Sequence, residues 1–587
     1  MAKAAKEIRL QGVAASPGVV IGPVRILTGE VAMISRRTIE ADQAAAEMER
    51  LMQALNQSSE ELEIIYQQTS AAYSPDAAQI FRVHQAMLSD PMVIDECRDM
   101  IQKERVGAEY AFSEVMDRYI EKLSALGDEM FRARHADVRD LKRRVLHHLL
   151  GSEIAPIVLE EPSIIFAREL TPSDTVHLER GKVLGFAMDF GARTSHATIL
   201  ARSINVPAVV GLKEGAASIK DGDWAILDGS EGVLILNPTP VTEAFYRKRR
   251  EKYLDRLQRL EKLKDLPART LDGKNIELAC NIEFIEEAES VIAMGGDGVG
   301  LFRTEYLFLS GAELPTEERQ VEEYTRLAKA MKGKPLIIRT FDLGGDKLPP
   351  FITLPPEQNP FLGVRGVRLY FNGASSLFRT QLRAIYRAGL HGDIRIMLPM
   401  ITSVEEIIQC RRIIAEIQEE LRREKLPFAE QLPLGAMIEV PAAAVVADLI
   451  AKECDFLSIG TNDLVQYTVA VDRGNPHLLY LYQPYHPAVF RLIAGVIQKA
   501  HEQGVWVGMC GEMAGDPLVT MILIGMGLDE FSVSPGSLPY IKEIIRNVSV
   551  EECEEMVAQL FELASIDKIQ RFLNDSFRRK FSMEMLI

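Results

Sequence analysis

Asp455-Phe456-Leu457-Ser458-Ile459-Gly460-Thr461-Asn462-Asp463-Leu464-Val465-Gln466-Tyr467-Thr468 reads as a strand, a polar turn and the start of a helix. Phe456–Ile459 is a short apolar run closed by a glycine, and an amide and a carboxylate follow at once. The same order recurs through the second half of the chain. Ile276–Cys280, Gly298–Leu301, Leu336–Arg339, Ile394–Met397, Ala436–Glu439, Phe456–Ile459 and Val505–Met509 are strand candidates separated by amphipathic helical stretches. This alternation over about 320 residues predicts a (β/α)8 barrel, with a doubly wound sheet as the other arrangement it allows. Arg303, Arg339, Glu439, Asn462, Asp463 and Cys510 stand at or just after these strands. In a barrel, the carboxyl ends of the strands carry the active site.

Upstream the texture changes twice. Strand-like runs occur in 8–28 and again at Ile164–Phe166, Val183–Phe186, Ala208–Gly211 and Ala225–Leu227. Between them, from about 33 to 150, Gly and Pro are scarce and Ala, Glu, Gln, Leu and Met dominate at helical spacing. Asp90-Pro91 interrupts that run. The reading is an α/β unit (1–30 and 151–240) holding an inserted helical bundle (31–150). Residues 241–266 are highly charged, with a stripe at Tyr246, Tyr253, Leu257 and Leu260, and read as a long exposed linker helix and hinge. The barrel takes 267–587.

The chain has 587 residues, 67 Lys plus Arg and 84 Asp plus Glu, for a formal charge of −17. With 47% hydrophobic and 26% charged residues it has globular composition, which sets aside disordered and fibrous classes. The acidic balance argues against nucleic-acid binding. Six sparse cysteines fit a reducing compartment rather than a disulfide framework or a metal knuckle. No apolar run approaches membrane-spanning length, and Gly12, Ser16, Pro17 and Gly18 break up any signal-like segment, so the expected location is the cytoplasm.

Gly191-Ala192-Arg193-Thr194-Ser195-His196-Ala197-Thr198-Ile199-Leu200-Ala201-Arg202 sets a histidine among small and capping residues at an apparent helix start. Free N–H groups and the dipole there suit a phosphoryl group, and a neutral imidazole is a competent nucleophile. The plainer reading is a capping turn with an incidental histidine. In the barrel half, Arg303, Arg339, Arg365 and Arg473, with Lys347 beside a glycine turn, suggest a polyanionic small ligand. The alternative for each arginine singly is an ion pair with an acid on the barrel rim. Glu439 and Asp463, both at strand ends, are the oxygen donors Mg²⁺ uses, or else capping or ion-paired acids. Cys510, flanked by glycine, is a candidate general acid or a small buried hydrophobe.

Together these segments resemble the phosphoenolpyruvate–protein phosphotransferase family, enzyme I of the bacterial sugar phosphotransferase system, nearly end to end. Gly191 to Arg202 looks like the family's phosphohistidine signature, and Asp455 to Arg473 like its second signature. The resemblance implies that His196 is phosphorylated and that Thr171 orients its ring. It implies that Arg303, Arg339, Lys347, Arg365, Asn462, Asp463 and Arg473 hold phosphoenolpyruvate, and that Glu439 and Asp463 ligate Mg²⁺. Cys510 would protonate the enolate carbon. The helical insertion would dock the histidine-containing phosphocarrier protein HPr near Ile80, His84 and Met87, and the barrel would form a homodimer. A scaffold that binds phosphoenolpyruvate or the carrier without turnover is the rival reading, which His196, Arg339, Glu439, Asp463 and Cys510 together disfavour.

Overall fold

The computed structural model describes residues 6–27, 34–72, 84–85, 87–125, 129–151, 159, 161–168, 170, 181–190, 201, 206–213, 218–309, 314–344, 355, 357–372, 374–475 and 477–581. The chain divides into two compact units that meet in sequence at Arg256 and Leu257.

In the first unit, β1 (Ile8–Gln11), β2 (Val13–Ser16), β3 (Val19–Leu27), β4 (Ser163–Ala167), β5 (Val183–Met188), β6 (Ala208–Val210), β7 (Trp224–Asp228) and β8 (Val233–Leu236) build one sheet. Its order is β1-β8-β7-β3-β4-β5-β6-β2, with β3 to β6 parallel and the remaining pairs antiparallel. Period-2 alternation lets β4 serve two cores: Ile165 and Ala167 face one, Ile164 and Phe166 the other. The helices Ala44–Ala72, Pro91–Asp99, Ala108–Ala125 and Glu129–Leu150 lie in sequence between β3 and β4. They bury an apolar core of their own that includes Leu51, Leu62, Phe112, Val115, Leu141 and Val145. Asp90-Pro91 begins a helix here: the Asp90 carboxylate accepts from Met92 N at 2.9 Å and Pro91 takes the first turn, where no N–H is needed.

The helix Pro240–Leu263 departs from the expectation of an exposed linker. Tyr246 is buried against Val19, Ile21, Ile226, Val233 and Ile235, and Leu260 is buried too. Most of its charged residues occupy the remaining faces, although Arg256 is buried and Arg249 pairs with Asp228 and Glu231.

The second unit is a closed barrel of eight parallel strands: β9 (Glu277–Ile282), β10 (Val299–Arg303), β11 (Leu336–Arg339), β12 (Ile394–Leu398), β13 (Leu434–Ile438), β14 (Phe456–Ile459), β15 (Trp506–Met509) and β16 (Glu530–Val533). This excludes the doubly wound alternative. Strands β10 to β14 each serve two cores. Leu301, Ile337, Met397, Met437, Phe456 and Cys510 fill the lumen. Their neighbours Phe302, Ile338, Ile396, Ile438 and Leu457 pack outward against the helices. That alternation fixes the site. Two residues beyond Leu301, Ile337 and Met437 stand Arg303, Arg339 and Glu439, which therefore point inward at the carboxyl end.

One strand went unread. β16 pairs with β15 and β9, and it opens with Glu530 and carries Ser532, so it shows no apolar run. Both side chains are buried, and Ser532 Oγ donates to Asn281 Oδ1 at 2.7 Å.

Candidate active site

The barrel mouth gathers charge that elementary solvation would keep apart. Arg339 and Arg365 are 7% and 6% exposed, and around them Glu305, Asp342, Glu439 and Asp463 are exposed by 5% or less. Arg339 Nη2 donates to Glu305 Oε1 at 2.9 Å, and its Nη1 lies 3.4 Å from Asp342 Oδ2. Arg365 clamps two carboxylates at once. It donates to Asp342 at 3.0 and 2.9 Å and to Asp463 at 3.1 and 2.9 Å. Tyr467, one helical turn beyond Asp463, accepts from Arg365 Nη1 at 3.2 Å and donates to Phe361 O at 2.5 Å. These carboxylates hold both guanidinium groups well above the ordinary arginine range, so both stay charged despite burial.

Four buried carboxylates against two buried guanidinium groups leave an excess of negative charge, and Glu439 bears it. Its Oε1 accepts from Met400 N at 2.6 Å. Burial first, then the charges of Asp463 and Asp342, push its carboxyl well above the usual carboxylate range. An oxygen-rich site with surplus negative charge suits a hard divalent cation. Gly460 lets the next strand approach: a Cβ there would fall 2.9 Å from Glu439 Oε2.

Beside this cluster the mouth is open. A cavity of about 360 Å³ is lined by Arg303, Cys510, Gly511, Glu512, Asn281 and Ser534, among others. Among the described residues Arg303 makes no ion pair, so its charge is available to a ligand. The Cys510 thiol accepts from Ser458 Oγ at 3.4 Å. Burial pushes that thiol up to about 11, while the Ser458 hydroxyl and the Arg339 charge act the other way. It is therefore a protonated thiol and a poor nucleophile. Gly511 permits this approach, since a Cβ would lie 1.9 Å from Thr461 Oγ1.

The other expected residues fall as follows. Asn462 is turned to Glu512, donating at 3.2 Å and accepting from its N–H at 2.9 Å. Arg473 Nη2 lies 3.7 Å from Asp463, with its side chain partly exposed. The structure thus brings together Arg303, Arg339, Arg365, Glu439, Asp463, Arg473, Asn462 and Cys510. His196, Thr171, Lys347 and Ile80 lie outside the described residues. His84 is buried, and Met87 is half-buried against the helical core. Sequence reasoning missed Glu305, Asp342, Tyr467 and Ser458, although each stands within a few residues of an arginine, carboxylate or strand end that it singled out.

A family model described as "PEP-utilising enzyme, PEP-binding domain" matches residues 257–550. The models "PEP-utilising enzyme, N-terminal" and "PEP-utilising enzyme, mobile domain" match 11–134 and 159–232. The chain is 43% identical over 579 residues to the phosphoenolpyruvate-protein phosphotransferase of Geobacillus stearothermophilus, covering 98% of this chain and 100% of that one. It is 40% identical over 570 residues to that of Bacillus subtilis (strain 168), covering 97% and 100%. A solved solution structure of an Enzyme I protein is 39% identical and covers 42% of this chain and 99% of its own, at a TM-score of 0.36.

Proposed function

This chain belongs to the phosphoenolpyruvate-protein phosphotransferase family, and we propose that it moves the phosphoryl group of phosphoenolpyruvate to His196 and then to a histidine of the phosphocarrier HPr. Pyruvate is the other product, and the reaction opens sugar uptake by the phosphotransferase system. The observation that carries this reading is the barrel mouth, where buried Arg339 and Arg365 stand with Arg303, which makes no ion pair among the described residues, beside a cavity and a protonated thiol.

Phosphoenolpyruvate carries a phosphate and a carboxylate, which accounts for several arginines at one mouth. Arg303, Arg339, Arg365 and Arg473, with Lys347 and Asn462, hold the two anionic groups. Glu439 and Asp463 are the donors for Mg²⁺, and the metal supplies positive charge for phosphoryl and enolate oxygens. When the phosphorus–oxygen bond breaks, a phosphorus–nitrogen bond forms to the His196 imidazole, and the electron pair stays on the enolate. Cys510 gives its S–H proton to the terminal enolate carbon. Its thiolate, favoured by the Ser458 hydroxyl, is reprotonated from solvent. Pyruvate cannot re-form the enol cheaply, so the transfer runs forward. His196 belongs to the first unit in sequence and the barrel site to the second, so transfer requires them to come together. The carrier docks on the helical insertion. As His84 is buried, it acts there by holding the surface rather than by direct contact. Homodimerisation through the barrel unit completes the reading, and sedimentation of the full chain tests it.

The decisive experiment is incubation with labelled phosphoenolpyruvate and Mg²⁺ followed by a search for acid-labile phosphohistidine. The parent takes up label and passes it to HPr. His196→Ala takes up none yet still binds phosphoenolpyruvate by calorimetry. Loss of that binding with the fold intact would sink the two-site reading.

A further inference from the structure

Glu305 is the acid at the barrel mouth with no evident task. It stands two residues after Arg303, at the first position of the short helix Glu305–Leu309, and is 3% exposed. It does not line the cavity. Burying a fourth carboxylate adds negative charge where Glu439 is already hard to ionise, and buried ion pairs contribute little net stability. Arg339 has Asp342 as a counter-ion without it.

Its geometry shows a different use. The single atom Oε1 accepts from Arg339 Nη2 at 2.9 Å and from Asp342 N at 2.7 Å. The first bond fixes where the Arg339 guanidinium points. The second fixes the turn that presents Asp342, whose carboxylate holds Arg365 by two bonds of 3.0 and 2.9 Å. The preceding residue secures the same strand end, for Thr304 Oγ1 donates to Arg339 O at 2.9 Å. Gln381 closes the frame, donating to Thr304 Oγ1 at 3.0 Å and accepting from Phe341 N at 2.9 Å. All of these groups are buried, so the frame has no water to relax into.

We propose that Glu305 is a positioning residue for phosphoenolpyruvate, one oxygen setting the direction of Arg339 and, through Asp342, of Arg365. The inference rests on the reading that these two arginines hold the substrate. Arginine recognition of phosphate and carboxylate is directional, and a displacement near 1 Å in such a site costs on the order of 10²-fold.

The test uses the full chain with Mg²⁺. Phosphoenolpyruvate binding is measured by calorimetry, and kcat and KM by pyruvate release, for E305Q, E305D, R339K and E305Q/R339K. E305Q keeps the acceptor for Asp342 N and removes the charge that aims Arg339. It is expected to weaken phosphoenolpyruvate binding about 10- to 100-fold, chiefly in KM, with an unchanged melting temperature, and to cost nothing further in the R339K background. Should E305Q not fold, E305D carries the test: it keeps the charge but shortens its reach, and about 10-fold weaker binding is expected. Parent-like binding in E305Q, or in E305D when only that variant folds, overturns the proposal, as does full additivity with R339K. If R339K itself binds like the parent, the assignment of Arg339 falls and the inference with it. If R339K binds weakly and E305Q normally, only the role of Glu305 falls.

Discussion

The two ends of the barrel bury charge by the same physics and use it differently. At the amino end of the strands, Glu530 and Glu277 face Arg395. Burial, reinforced by Glu277, pushes the Glu530 carboxyl up to about 8, and Arg395 works against that rise. Arg395 lies 5.7 Å over the Trp506 ring, and Trp506 stacks on Phe456 at 4.9 Å with an 11° interplanar angle, so this end is plugged by rings. At the carboxyl end, four carboxylates and two arginines stand beside a cavity of about 360 Å³. A strained carboxyl is therefore no mark of function by itself. What separates the ends is access: the carboxyl end opens to a cavity lined by Arg303, whereas the amino end is closed by the stacked rings.

The largest expected effect that separates the ends is at Cys510. Serine keeps the size and the hydrogen bond to Ser458 but is a far weaker acid. Turnover of Cys510→Ser should fall about 10²- to 10⁴-fold while phosphoenolpyruvate binding holds. Steady-state pyruvate formation beside calorimetry measures both. A parent-like rate would assign the proton to water or to another group. Cys454, also buried but packed in the outer core, is the comparison, and Cys454→Ser should show only a modest loss of stability.

Next is Glu439→Gln, which removes a charge from the carboxyl end. The Mg²⁺ requirement should rise by more than about 10²-fold, since residues merely behind a ligand already cost 10- to 100-fold. Without metal, the variant should melt at or above the parent's temperature, because burial already makes the Glu439 carboxyl hard to ionise and the amide has no charge to desolvate. A Mg²⁺ titration and a metal-free melt decide this. An unchanged Mg²⁺ requirement would remove Glu439 from the ligand set.

How much of this was legible in the sequence follows from what each signal depends on. Phe456–Ile459 was legible because Phe456, Leu457 and Ile459 are apolar and the run ends at Gly460. Glu530–Val533 was not, because its inward residues are Glu530 and Ser532, and a polar lumen erases the apolar signal that marks a strand. Arg339, Glu439 and Cys510 were legible as charged or thiol residues at strand ends. Their partners were not. Glu305 meets Arg339 across 34 positions, through the pairing of β10 with β11, and Asp463 meets Arg365 across 98, contacts that only the tertiary fold creates. Of the two readings weighed for the arginines, ligand binding or ion pairing, the structure shows ion pairing at Arg339 and Arg365. Their paired carboxylates hold both guanidinium groups charged despite burial, and ion pairing therefore does not exclude ligand binding at the same groups.

The smallest effect on turnover, and the sharpest test of the comparison, is at Glu530. Its folded-state carboxyl titrates near 8 against an ordinary value of 4.5. Between those limits the folded barrel holds a proton that the unfolded chain has released. Stability therefore falls as pH rises through that window, by up to about 1.4 kcal/mol per pH unit. Glu277, also raised by burial, adds the same sign. Glu530→Gln keeps the shape and has no proton to lose, so its barrel transition should fall less between pH 5 and pH 8 than the parent's. Turnover should not change, because Glu530 sits at the end of the lumen opposite the site. Denaturant unfolding at pH 5, 6.5 and 8, with pyruvate formation on the same samples, reads both. A slope equal to the parent's would mean that Glu530 is ionised in the folded barrel and that Arg395 offsets its burial. A large fall in turnover with stability intact would mean that the plugged end transmits to the mouth through Phe456 and the luminal methionines, and the separation of the two ends would be lost.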